Sequence, residues 1–140
     1  MMRILAGLAA TLFLALPLRA EIAVEEVTSP GGIRAWLVPE PSIPFVALEL
    51  RFRGGTTLDP ADRRGAVNLM VGLLEEGTGE MDARGFAEAR EALAAQFGFD
   101  ADADAVSVSA RFLTENRDAA VALLQGALAA PRFDADAVER

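Results

Sequence analysis

The chain of 140 residues carries 13 arginines and 21 acidic residues, a net charge of −8 at pH 7, and it has no lysine, histidine or cysteine. The usual ligand sets of structural and catalytic zinc sites are therefore excluded within this chain, as are the Ser-His-Asp, Cys-His and Ser-Lys nucleophile systems. The acidic balance also argues against a phosphate-binding surface, so nucleic acid is not an expected partner.

The first twenty residues are predicted to form a secretory signal peptide. Arg3 gives a positively charged start, residues 4–16 are apolar, and residues 18–20 approximate a small-x-small cleavage site. A membrane anchor is the alternative, but the apolar run is shorter than the ~20 residues that span a bilayer. Cleavage after Ala20 leaves 11 arginines against 21 acidic residues, a net charge of about −10. We therefore expect residues 21–140 to be exported, with a periplasmic location and no stable membrane insertion.

Three strands are predicted next along the chain. Residues 22–28 and 33–38 flank a turn of serine, proline and two glycines, which predicts a hairpin. Residues 45–52 alternate strictly, with four apolar side chains on one face, as in a half-buried strand. Trp36 is a conceivable ligand platform, but a single tryptophan in a strand more often covers a core or a sheet, so we expect it to be structural.

Residues 65–78 predict a buried helix closed by a glycine, and we place this helix near residues 62–76. Apolar side chains cover almost its whole circumference, at Ala66, Val67, Leu69, Met70, Val71, Leu73 and Leu74. Asn68 and Gly72 interrupt this pattern and share one face, because they are four residues apart. A glycine inside a helix costs about 1 kcal/mol relative to alanine, and a buried asparagine needs hydrogen-bond partners. This face is therefore unusual for a core helix.

Two further helices are predicted in the second half of the chain. The first covers residues 82–97, with Asp82 as its N-cap and Gly98 as the residue that ends it. The second covers residues 114–130, with Thr114 as its N-cap. Strands and helices thus group in blocks rather than alternating, which favours an α+β fold. We expect the strands near 22–28, 33–38, 45–52 and 99–112 to form one antiparallel sheet with the helices packed on one face.

Carboxylates are the acid–base and metal-binding groups that remain. They alternate as in the opening of a calcium-binding EF-hand loop at Asp100, Asp102 and Asp104. The pattern then fails, because Ala105 stands where that loop needs glycine and Arg111 where it needs glutamate. We therefore favour a pair of strands over residues 99–112 with the aspartates on the solvent face. A glycosidase-like carboxylate pair is a further alternative, but one tryptophan and no tyrosine provide few platforms for sugar stacking.

The segment around the glycine-closed helix resembles a known family. A Gly-Gly-Thr run, an Asp-Pro pair, a Gly-Ala pair and a final Leu-x-x-Gly-Thr follow one another between Gly54 and Thr78. This order resembles the segment of insulinase/pitrilysin-type zinc metallopeptidases that carries the inverted motif H-x-x-E-H. Two histidines one turn apart bind zinc there, and the glutamate is the general base. On this chain the first histidine falls on Asn68, the glutamate on Val71 and the second histidine on Gly72.

None of these three residues can bind zinc or accept a proton, so the resemblance implies no catalytic, cofactor-binding or metal-binding residue in this chain. It implies an exported, catalytically inactive homologue that is the non-catalytic subunit of a heterodimeric peptidase, as in mitochondrial processing peptidase. An active paralogue would supply zinc and base, while this chain helps to form the chamber and contacts the peptide substrate. The alternatives are a binding or assembly module without a role in proteolysis, and an active peptidase that takes its ligands from elsewhere.

The resemblance also implies how much of a domain is present. It covers residues 26–140 and agrees with the α+β prediction. A last helix is predicted to begin at Asp134, and the sequence stops within two turns of it. We therefore expect residues 21–140 to be a truncated, N-terminal part of the first insulinase-type peptidase domain. The third zinc ligand of the family, a glutamate on that helix, would lie beyond Arg140.

Overall fold

The computed structural model of the protein describes residues 23–139, and the predicted signal peptide lies outside the described residues. The described residues fall into two units, one that ends at Pro41 and one that begins at Ser42. Among the described residues, no helix combines the length and the apolar character that a membrane span requires.

The first unit contains the predicted hairpin, in which β1 (Glu25–Thr28) pairs antiparallel with β2 (Arg34–Leu37). Its turn is closed by Ser29, whose N–H donates to the Ile33 carbonyl over 2.8 Å and whose hydroxyl accepts from the Ile33 N–H over 3.0 Å. Within residues 23–139 these strands form a sheet of their own, and not the shared sheet that we predicted. Trp36 is 83% exposed, contrary to its predicted role, because two strands alone give its ring no second layer.

The second unit is built on an antiparallel sheet of three strands. They are β3 (Phe45–Arg53), β6 (Gln96–Ala101) and β7 (Ala105–Leu113), in the order β3-β7-β6. The long central strand β7 pairs along its whole length with β3, from Phe45 opposite Leu113 to Arg53 opposite Ala105. This register, together with the antiparallel pairing of β6 and β7, confirms the predicted strand over residues 45–52 and the predicted pair of strands over residues 99–112.

Helices and short connections complete the second unit. The helices are α1 (Ala66–Leu73), α2 (Ala83–Ala92), α3 (Arg117–Ala129) and α4 (Ala135–Val138). A small hairpin separates α1 from α2, formed by β4 (Gly77–Thr78) and β5 (Met81–Asp82). Short 3-10 helices precede α1 and α3, at Thr56–Leu58 and Thr114–Asn116. The architecture is the α+β arrangement that we predicted.

Several predicted helix ends are wrong by a few residues. Helix α2 ends at Ala92 rather than at residue 97, because Ala94 takes a left-handed conformation (φ 49°) and the chain then enters β6. Gly98 consequently lies in a strand, where a Cβ would come within 2.7 Å of the Ser109 hydroxyl. The predicted N-cap Asp82 is confirmed, since its carboxylate accepts from the Gly85 N–H over 2.8 Å.

The beginnings of α1 and α3 also differ from prediction. Thr114 does not cap α3, because it starts a 3-10 turn and Asn116 takes the N-cap position. Asn116 instead donates its side-chain N–H to the Leu93 carbonyl at the end of α2 over 2.9 Å. Helix α1 begins at Ala66, four residues later than predicted, because Gly65 immediately before it is left-handed (φ 96°).

The hydrophobic core lies between one face of the sheet and the helices. Alternate residues of β7 are buried there, and Val108, Ala110 and Phe112 cluster with Ala120 and Leu124 of α3. A second cluster joins Phe86 of α2 to α3, at Phe86, Leu123 and Ala127. On the opposite face of β7, Ser109 and Arg111 are exposed. The sheet therefore has one covered face and one open face.

Candidate functional site

The positions of the degenerate motif lie in different surroundings on α1. Asn68 and Gly72 are exposed, and a Cβ added to Gly72 would meet nothing within 4 Å. Val71 is only 6% exposed and belongs to the buried side of the helix. The prediction of a helix buried nearly all round is wrong, because Leu69 is 48% exposed and Met70 37% exposed. The face shared by Asn68 and Gly72 is thus open, as a metal-presenting face would be.

The chemistry available on this face is limited by its side chains. Helix α1 has the sequence AVNLMVGL, which contains no ionisable group. It offers the carboxamide of Asn68 as its polar side chain and open space in front of Gly72. Such a face can donate and accept hydrogen bonds, but it cannot hold or transfer a proton.

The start of α1 is held by Asp59, which the sequence reading did not single out as a cap. One carboxylate oxygen accepts from the Gly65 N–H over 2.6 Å, and the other accepts from the Val67 N–H over 2.9 Å. These donors belong to the first turn of the helix, where N–H groups have no partner within the helix. The available signal was the Asp-Pro pair just before Gly65, because an aspartate there can reach the free N–H groups.

The Gly-Gly-Thr segment fixes the chain before α1 against the turn between β6 and β7. The N–H of Gly54 donates to the Asp104 carbonyl over 2.7 Å, and the N–H of Thr56 donates to the Asp102 carbonyl over 2.9 Å. A Cβ on Gly55 would lie 2.0 Å from that same carbonyl oxygen. Glycine is therefore required at this position by close approach of two backbones.

Asp102 stabilises the turn that receives this segment. Its carboxylate accepts from the N–H groups of Asp104 and Ala105 over 2.7 and 2.8 Å, and from the Arg51 guanidinium over 2.8 Å. These backbone donors, and then Arg51, hold the pKa of the Asp102 carboxyl below its usual value. Of the three alternating aspartates, Asp102 therefore stabilises the turn between β6 and β7. Among residues 23–139, no group of three or more acidic side chains is placed to hold a metal ion.

The Gly-Thr pair at the other end joins α1 to the end of α3. The Thr78 hydroxyl donates to the Ala130 carbonyl over 3.0 Å, and the Arg132 N–H donates to the Gly77 carbonyl over 3.0 Å. Gly77 is left-handed (φ 123°), and a Cβ there would lie 2.5 Å from the Met81 carbonyl oxygen. The glycine and the threonine of this pair therefore serve the scaffold.

An ion pair adds a side-chain link between α1 and α2. Glu75, just after α1, binds Arg90 of α2, and both side chains are about two-thirds buried. Helix α1 is thus fixed at its beginning by Asp59, at its end by the Gly-Thr pair, and on the α2 side by this pair. These contacts hold α1 firmly, although its three motif positions carry neither an imidazole nor a carboxylate.

Comparisons with known proteins show which family the chain is similar to. The model of the insulinase family, peptidase family M16, matches residues 34–140. A curated relative, the non-peptidase homolog YmxG of Helicobacter pylori (strain ATCC 700392 / 26695), is 33% identical over 98 residues, which are 70% of this chain and 23% of the relative.

Solved structures show the same fold. The inactive domain of a peptidase M16 from Pseudomonas fluorescens superposes with a TM-score of 0.74 at 28% identity, over 81% of this chain and 28% of that chain. A protease from Helicobacter pylori superposes with a TM-score of 0.69 at 14% identity, over 84% of this chain and 28% of that chain. The chain therefore spans less than a third of the length of each of these relatives.

Proposed function

Because the chain belongs to the insulinase family of peptidases, family M16, we propose that it acts as the non-catalytic subunit of a heterodimeric peptidase. The observation that carries this proposal is an intact, well-supported motif helix whose three motif positions are Asn68, Val71 and Gly72. The similarity to an inactive M16 domain and to a curated non-peptidase homolog supports the absence of catalysis.

In this proposal zinc and the general base belong to an active paralogue. Asn68 and Gly72 of this chain do not fit a zinc ion, because a carboxamide is a poor zinc ligand and glycine has no side chain. Val71 has no proton-accepting group, and its burial keeps it away from the open face. The role left to this chain is to form part of the chamber wall and to contact the peptide substrate.

The proposal extends to location and domain organisation. Residues 1–20 act as a signal peptide and direct the chain to the periplasm, where it meets its partner. Residues 21–140 form the N-terminal part of the first insulinase-type domain. The apolar run behind Arg3 and the family match over residues 34–140 support these assignments.

Co-expression with an M16 paralogue that has an intact H-x-x-E-H motif tests the proposal. We expect the two chains to co-purify and the complex to cleave peptides in a chelator-sensitive way. This chain alone should carry no zinc and cleave nothing. The matched control replaces the motif glutamate of the paralogue by glutamine, which should abolish cleavage without loss of the complex.

The possible results separate the competing functions. Zinc bound at one equivalent to the isolated chain, together with peptide cleavage, would overturn the proposal. A stable complex that does not cleave peptides would instead favour the second function, a binding or assembly module on the same fold. The curated relative is itself named a non-peptidase homolog, which is compatible with either role.

A further inference from the structure

We draw no further inference here: the strongest candidate, the uncharged outer face of α1 with the open space in front of Gly72, belongs to the site already described, and nothing within residues 23–139 shows what covers it.

Discussion

Val71 and Leu69 lie two residues apart on α1, but only Val71 is buried. Glutamate at position 71, where the resemblance predicts the general base of the family, would therefore place a carboxylate in the core. We expect Val71→Glu to lower the free energy of unfolding by about 3 kcal/mol, because the new carboxylate loses its hydration at a site that is only 6% exposed. Denaturant unfolding followed by circular dichroism measures this change.

Leu69→Glu is the matched control, since it adds the same charge to the same helix at a site that is 48% exposed. It should change the free energy of unfolding by no more than about 0.5 kcal/mol. Equal costs at the two positions would show that Val71 is not part of the core. The same reasoning predicts that Asn68→His and Gly72→His change the free energy of unfolding little, because both positions are exposed. Restoring the full motif would be destabilising because it also requires glutamate at the buried position 71.

Asp102 gives the protein a pH dependence at the acid end. Its pKa is lowered in the folded state by the N–H groups of Asp104 and Ala105 and then by Arg51. The stability that it contributes is therefore present above the unfolded value of 3.8 and is lost as the pH falls through the lower folded pKa. We expect the stability difference between the wild type and Asp102→Asn to shrink as the pH falls below the pKa that the Asp102 carboxyl has in the unfolded chain.

Carboxyl titration by NMR measures this pKa directly. Arg51→Gln should raise the pKa of Asp102 only part of the way to that of a free aspartate, because the two backbone donors stay in place. A pKa in Arg51→Gln equal to that of a free aspartate would show that the ion pair, and not the turn, lowers it.

At the scale of elements, the loop before α1 depends on the close approach at Gly55. The φ of Gly55 (−123°) is not in the left-handed region, so the expected effect of an alanine there is chiefly the steric contact of its methyl group. We expect Gly55→Ala to cost about 2 kcal/mol, because the new methyl group forces the loop away from the Asp102 carbonyl. Thermal or denaturant unfolding measures the loss.

Gly31→Ala is the control for this substitution. Its nearest neighbouring atom, the Ser29 hydroxyl oxygen, would lie 3.9 Å from the new Cβ, and the backbone there is not left-handed. The expected change is within about 0.5 kcal/mol. A Gly55→Ala variant as stable as Gly31→Ala would show that the loop does not pack tightly on the turn.

The elements that sequence reasoning predicted well are those with a strong local signal. The strict alternation of residues 45–52 and the cap at Asp82 both identified elements that the structure contains. The end of α2 differs from the prediction because Ala94, and not Gly98, adopts the left-handed conformation that ends the helix. Alanine gives no local sign of such a conformation, which the tertiary structure imposes.

In the candidate site too, some features follow from the sequence and others depend on the tertiary structure. The motif positions follow from the resemblance that the flanking Gly-Gly-Thr run and Gly-Thr pair carry, and the structure places Asn68 and Gly72 on one open face of α1. The exposure of Leu69 and Met70 was missed because an apolar pattern indicates burial without saying what supplies it. The role of Asp59 was missed although the Asp-Pro pair was a signal for it, because this carboxylate reaches the start of α1 from six residues before Gly65 and not from the usual N-cap position.

At the scale of the whole molecule, Trp36 reports on the hairpin unit, because it is the only tryptophan in the chain. Its side chain is 83% exposed. We therefore expect its fluorescence maximum in buffer to lie close to that of tryptophan in water and to move little on unfolding by denaturant. A blue-shifted maximum that moves to the red in denaturant would show that the hairpin is covered in solution.

The link between Thr78 and Ala130 spans 52 residues of chain. While the polypeptide is being synthesised, the motif helix α1 is complete long before the far side of this link exists. Its final attachment must wait until α3 has formed and Arg132 has emerged to bind Gly77. The attachment of α1 on this side therefore depends on residues that lie 52 positions further along the chain, and a change at the end of α3 would be felt at the helix.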